Sequence, residues 1–326
     1  MRVQRRHLLQ ALGLAALTPP GPALAQPAQT IVWSGFPPGG LGDQVSRPLL
    51  DRLKGRWPGT LILDSKPGAG GRIAADFVKR AQPDGATLLQ VPSSIVTLYP
   101  HTYGRKLGYD PLVDFVPVTP LAAYTVCVTV GPGTPPEVKT VADFVRWARA
   151  NPDKANYGIP APGSAPHFAG MMFERATGVA IKSIPYRGGA PLLQDLMGGQ
   201  IPLAFSVVSE VLPHVRSGRL RALAVASAQR WAALPDVPTL VELGHKDIVV
   251  QEFLGWYAPA KTASELVRQL NAAVQDALAT PEMQEVFSRN GLLALRESPE
   301  AFATRVRDEL QRWGPIVKAT GFTPED

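Results

Sequence analysis

Apolar and polar positions follow two rhythms along this chain. "TIVWSGF" from residue 30, "TLILDS" from 60 and "ATLLQVPSS" from 86 are short apolar runs of strand type. Each leads into a polar or glycine-rich loop. Between them the apolar positions fall three to four apart, the helical period. Val45, Leu49, Leu53 and Trp57 form one such stripe, with Pro48 inside it loosening its first turns; Ile73, Phe77 and Ala81 form another. Strand, loop and helix in alternation predict a parallel sheet with ligand loops at the C-terminal ends of its strands.

"YTVCVTVGPGTPP", residues 124–136, is a β-rich run closed by a Pro/Gly break and reads as a crossing between two domains. Beyond it the same grammar recurs. "TVADFVRWARANP" is a helix with Thr140 as N-cap and Asn151-Pro152 as its stop. "ANYGIP", "IKSIPY" and "IPLAFS" are strands. "APGSAPH" and "RGGAP" are loops, and the helix "FAGMMFERATG" closes on Gly178. "RLRALAVAS" reads as a strand returning to the first domain. The tail is helical: "TASE" at 262–265 fits a capping box, and "TPE" and "SPE" place proline just inside two further helices.

The first residues read as an export signal. "MRVQRRH" is basic, "LLQALGLAALT" is a short apolar run and "ALA" at 23–25 fits a cleavage site, so residues 1–25 are expected to be removed. Arg5 and Arg6 leave the general and twin-arginine routes both open. The apolar run is too short to span a bilayer. No later stretch is an apolar span, so a soluble, exported protein is expected.

Composition narrows the classes. The 326 residues are 45% hydrophobic, with 30 Gly and 33 Pro, enough core for two domains joined by many short turns. The formal charge is +6, and loss of three arginines with the signal brings the mature chain to +3. Basic residues are scattered, which argues against nucleic acid as a partner. Cys127 is the only cysteine, so no intrachain disulfide forms, and its apolar surroundings read as buried and inert.

The chemistry-bearing positions are loops. "FPPGGLGD" (36–43), "KPGAGG", the pair Ser93-Ser94, "PGSAPH" (162–167) and "RGG" (187–189) offer small residues and free N–H groups, and most open a helix. Helix N-termini attract anions through unpaired donors and the helix dipole. "GGLGD" lacks the Lys-Ser/Thr of a phosphate loop. His101, His167, His214 and His245 are too scattered for a metal site. Ser164 and His167 could be a nucleophile and base, but no G-x-S-x-G is present and a cap or ligand contact fits both better. Tyr186 and Arg187 read equally as pocket wall or plain surface. Asp43 reads as a helix N-cap or as an acid orienting a ligand or water, and the two are compatible.

Several stretches, in order, resemble the Bug family of extracytoplasmic solute receptors of tripartite tricarboxylate transporters. They are "FPPGGLGDQVSRPLLDRL", "KPGAGGRIAADFVKRAQPDGATLL", "PGSAPHFAGMMFERATG", "PYRGGAPLLQDLMGGQI", "PHVRSGRLRALAVASAQRWAALPDVPTLVELG" and "GWYAPAKT". The resemblance implies an α/β type II periplasmic binding protein: two lobes joined by crossing hinge strands, with a ligand cleft between them. Lobe 1 is expected over 26–124 plus 225–280, and lobe 2 over 125–224 plus 281–326. It also implies a monomer that needs no cofactor and no metal, takes a small organic carboxylate and delivers it to membrane transporter subunits. Ligand contacts carried over are Phe36, Pro38, Gly39, Gly40, Leu41 and Asp43, with Ser93 and Ser94, from the first lobe. From the second come Gly163, Ser164, Ala165, His167, Tyr186, Arg187, Gly188, Gly189 and Ser206. Ser206 stands where the family often has an acid that could pair with a ligand amine, which argues against an amino-acid ligand. Ile95 and Val96 follow the serine pair where polar residues are common, which makes that wall more apolar. A receptor signalling to a membrane kinase, and a secreted serine hydrolase, are the rival readings.

Overall fold

A computed structural model describes residues 27–323; the expected signal at 1–25 lies outside them. The chain begins β1 (Gln29–Ser34), α1 (Leu41–Leu53), β2 (Thr60–Ser65), α2 (Arg72–Lys79), β3 (Thr87–Pro92), then two short helices α3 (Ser93–Thr97) and α4 (Tyr99–Tyr103). β1 lies between β2 and β3 and is parallel to both. Val45, Leu49 and Leu53 of α1, with Trp57 beyond its end, are buried as their spacing predicts, and Pro48 is accommodated inside the helix.

The sixteen-residue β4 (Phe115–Val130) carries the chain onward. There follow α5 (Val141–Ala150), β5 (Asn156–Ile159), α6 (Ala165–Thr177), β6 (Lys182–Pro185), α7 (Gly189–Met197), β7 (Leu203–Val207), α8 (Val208–Arg216) and β8 (Arg221–Val225). The last part is β9 (Gln251–Pro259), α9 (Ser264–Leu278), α10 (Pro281–Arg289), the two-residue β10 (Leu293–Ala294) and α11 (Pro299–Thr320).

The strand order is β2-β1-β3-β9-β4-β7-β5-β6, with β8 and β10 also on β4. β4 serves two sheets. Phe115 to Thr125 pair with β9, and Val126 to Val130 pair with β7 and β8. The register on β9 slips beside Pro117 and again beside Pro120, residues that have no N–H to give a ladder. β8 stays with the second sheet, and the chain regains the first through β9. This differs from the expectation that "RLRALAVAS" itself makes the return.

Caps follow local chemistry. Thr140 and Asp143 form a full capping box, Ser298 caps α11, and Gly178 ends α6 in the left-handed region. The box expected at 262–265 does not form. The Thr262 hydroxyl donates to the Pro259 carbonyl and α9 starts at Ser264.

Met283 and Phe287 of α10 pack with Leu49, Trp256 and Leu270 against the first sheet. On α11, Phe302 and Val306 pack with Tyr99 and Tyr257, whereas Trp313 and Val317 pack with Phe168 of α6 and Phe205 of the second sheet. α11 therefore ties both halves together. We propose lobe edges that follow this packing, with 27–125 and 251–297 in one lobe, 126–250 in the other and α11 shared. These replace the edges set at 225 and 281 from the sequence. Phe302→Ala is expected to lower stability by about 3–5 kcal/mol, since the ring is fully buried against Phe253, Tyr257 and the bare face of Gly255. Urea unfolding checks this, and a loss below about 1 kcal/mol would contradict the packing of α11 on the first lobe.

Candidate functional site

A cavity of about 70 Å³ opens between the two sheets. Phe36, Gly40, Leu41 and Ser94 reach it from the first, and Ser164, Arg187, Gly188 and Gly189 from the second. The glycine-bearing turns thus face one shared hollow. Gly40 caps α1 and Gly188 caps α7. Gly188 holds a φ of 109°, which side-chain-bearing residues rarely adopt, and its N–H is spent on the Pro160 carbonyl at 2.9 Å.

The spot where these helix ends meet is already furnished. Glu210, in the first turn of α8, accepts a hydrogen bond from the Leu41 N–H at 3.2 Å. Its other oxygen lies over Gly189: a Cβ built there would fall 2.0 Å from Glu210 Oε2. One carboxylate therefore rests against the N-terminal ends of α1 and α7, one from each sheet. Desolvation raises its pKa to about 7, against the lowering effect of the Leu41 bond.

A second acid lies deeper. Glu252 on β9 accepts from the Ser94 N–H at 3.0 Å, from both serine hydroxyls and from Tyr124. Burial pushes its pKa up, and those hydrogen bonds pull the other way. Gln90 on β3 also lines the cavity. Its Oε1 accepts from Trp256 Nε1 at 2.8 Å and from the Ser46 hydroxyl, while its Nε2 is buried with no partner. Arg187 is the one cationic side chain on the wall, exposed at the rim and without an ion pair among the described residues. Ile95, Tyr99, Val207 and Leu254 supply apolar surface.

Of the residues expected from the sequence, Phe36, Gly40, Leu41, Ser94, Ser164, Arg187, Gly188 and Gly189 lie on the wall. The others lie behind it. Asp43 accepts from the Gly39 N–H and pairs with Arg47, so it braces the loop from outside, and the N-cap position belongs to Gly40. Pro38 and Gly39 form the outer part of that loop. Ser93 is turned to Glu252. Gly163 donates to His167 Nδ1, and Ala165 is buried beside Phe168. Tyr186 donates to Asp195 at 2.8 Å. Ser206 is buried opposite Cys127, on the face of β7 turned away from the neighbouring wall residue Val207. The Ser164 hydroxyl donates to the Ala161 carbonyl at 2.7 Å and His167 accepts from Gly163, so no serine–histidine pair forms. Among the described residues no group of His, Cys, Asp and Glu is placed to hold a metal.

The residues missed were Glu210, Glu252 and Gln90. The last two stand in "VVQEFLGWYAP" and "TLLQVP", where a polar residue interrupts a buried strand, and that interruption was the available signal.

The model for receptors of the tripartite tricarboxylate transporter family matches residues 45–322. The chain belongs to this family. It is 31% identical over 309 residues to BugT of Bordetella pertussis, covering 95% of this chain and 94% of that protein. The solved structure of R. palustris Rpa4515 with adipate superimposes with a TM-score of 0.86 at 31% identity, over 91% of this chain and 98% of that one. MatC from Rhodopseudomonas palustris, with bound malate, gives 0.82 at 28% identity, over 89% and 98%. The fold of this receptor is therefore the two-lobed periplasmic binding-protein fold, and the cavity is its interlobe cleft.

Two groups of the receptor pull on stability in opposite directions. Burial lowers the His167 pKa to about 4, so the unfolded chain binds more protons between about 4 and 6.5 and stability rises with pH there. Glu210, raised to about 7, contributes stability that is present below about 4.5 and lost as pH rises towards 7. Relative to wild type, Glu210→Gln should make stability rise more steeply between pH 4.5 and 6.5, and His167→Asn should make it fall. Melting temperatures across that range check both signs. Two parallel profiles would refute the assignment.

Proposed function

We propose that this receptor is exported to the periplasm, closes its two lobes on a small organic carboxylate and presents the closed form to the membrane subunits of a tripartite tricarboxylate-type transporter. The observation that carries the reading is the interlobe cleft, where helix N-termini from both lobes meet on one hollow. Glu210 already takes the Leu41 N–H at one of these ends, and the unpartnered Gln90 Nε2 and the Arg187 guanidinium on the same wall are left to meet a ligand carboxylate. Adipate and malate in the structures of two relatives support the ligand class. The basic, apolar and A-x-A pattern of residues 1–25 supports export, and among the described residues no helix is long and apolar enough to cross a membrane.

Binding here involves no bond making or breaking. Closure is a shift between open and closed populations, so the ligand must bind the closed form more tightly. The arrangement of Ser164 and His167 gives the hydrolase reading no support.

A thermal-shift panel of mono-, di- and tricarboxylates tests the proposal. A true ligand at about 100 times its dissociation constant should add about 2.7 kcal/mol of stability. A flat response across a broad acid panel would overturn it.

A further inference from the structure

We propose that Glu210 is the specificity-determining residue of the cleft and that it selects a zwitterionic ligand, with one carboxylate and one protonated amine. The inference rests on the carboxylate reading above and narrows it.

The donors of the cleft divide into those already used and those still free. The Leu41 N–H at the start of α1 is taken by Glu210, and the Ser94 N–H by Glu252. Two anion seats of the first lobe thus hold the receptor's own carboxylates. What remains for a ligand anion is one polar pocket. Trp256 Nε1 can only donate, so it fixes Gln90 with Oε1 towards it. The Gln90 Nε2 is then an orphan donor on a side chain 1% exposed, at the cavity wall. A buried donor without an acceptor is costly and calls for a ligand oxygen. Among the described residues of the wall, Arg187 at the rim supplies the only positive charge.

Glu210 offers the opposite chemistry close by. A Cβ on Gly40 would lie 3.1 Å from Glu210 Oε1, and a Cβ on Gly42 would lie 2.7 Å from Gln90 Nε2. An acceptor and a donor therefore sit over the same first turn of α1. An ionised carboxylate has about four acceptor sites, and the Leu41 N–H uses one. A ligand ammonium can take another.

Charge points the same way. The ionisable groups on this wall are Glu210, Glu252, Arg187 and the phenols of Tyr99 and Tyr124. A second ligand carboxylate about 4 Å from an ionised Glu210, at an effective dielectric of about 20, would weaken binding about a thousandfold. A zwitterion adds no net charge. Ser206 therefore does not exclude an amine, because acids at 210 and 252 stand on the wall where that serine does not reach.

Paired ligands test this. β-Alanine against succinate, and 4-aminobutanoate against glutarate, exchange an ammonium for a carboxylate at nearly constant length. Calorimetry on the full mature receptor at pH 8 should show the amino acid of each pair binding at least about tenfold more tightly. Glu210→Gln, which keeps the shape, should shrink that preference to about threefold or less. Gly189→Ala should do the same while keeping the acid in the sequence, because its Cβ displaces Glu210. Succinate or glutarate binding wild type as tightly as its partner would overturn the inference and leave the carboxylate reading standing. So would an unchanged preference in a folded Glu210→Gln. If none of the four binds, the inference falls, and the broad acid panel above decides the carboxylate reading separately.

Discussion

A single carboxylate set against two opposed helix ends organises this molecule. α1 and α7 belong to different lobes, and each brings its N-terminal end to the same hollow. Facing partial charges of one sign would repel across an empty gap. Glu210 fills that gap and joins the lobes through Leu41. The arrangement needs glycine at 189, where any Cβ would occupy the carboxylate's place. It also exacts a desolvation cost, visible in a pKa near neutrality.

The rest of the architecture makes that meeting possible. β4 gives its first part to one sheet and its second to the other, while α11 packs on both. Lobes linked by a few such shared elements can hinge, and the cleft contents then decide which arrangement is favoured. The wall joins apolar residues such as Ile95 and Leu254 to a few directed polar groups. That division suits a small molecule held by position as much as by charge.

Much of this was written in local pattern. The strand–loop–helix units, the stop at Asn151-Pro152, the cap at Thr140 and the stripe of α1 follow from spacing and capping chemistry that nearby residues set. The failed cap at 262–265 shows the limit: Thr262 found a carbonyl at Pro259, three residues back, and local competition decided the helix start. The glycine loops of the cleft were legible because their residue types are unusual. Glu210, Glu252 and Gln90 were not, because their roles depend on long-range contacts. Glu210 meets Leu41 across 169 positions of chain, and Glu252 meets Ser94 across 158. Asp43 was conspicuous in sequence, yet it faces Gly39 and Arg47 outside the wall.

Glu210 bridges the lobes through the Leu41 N–H before any ligand arrives. Spin labels at Asp51 on α1 and Lys182 on β6, both exposed, report the separation of the lobes. Cys127 will not interfere, being buried with a thiol pushed up to about 12. In ligand-free protein at pH 5, where the contribution of Glu210 to stability is still largely present, Glu210→Ala should move the distance distribution to longer values. An unchanged distribution would contradict the account.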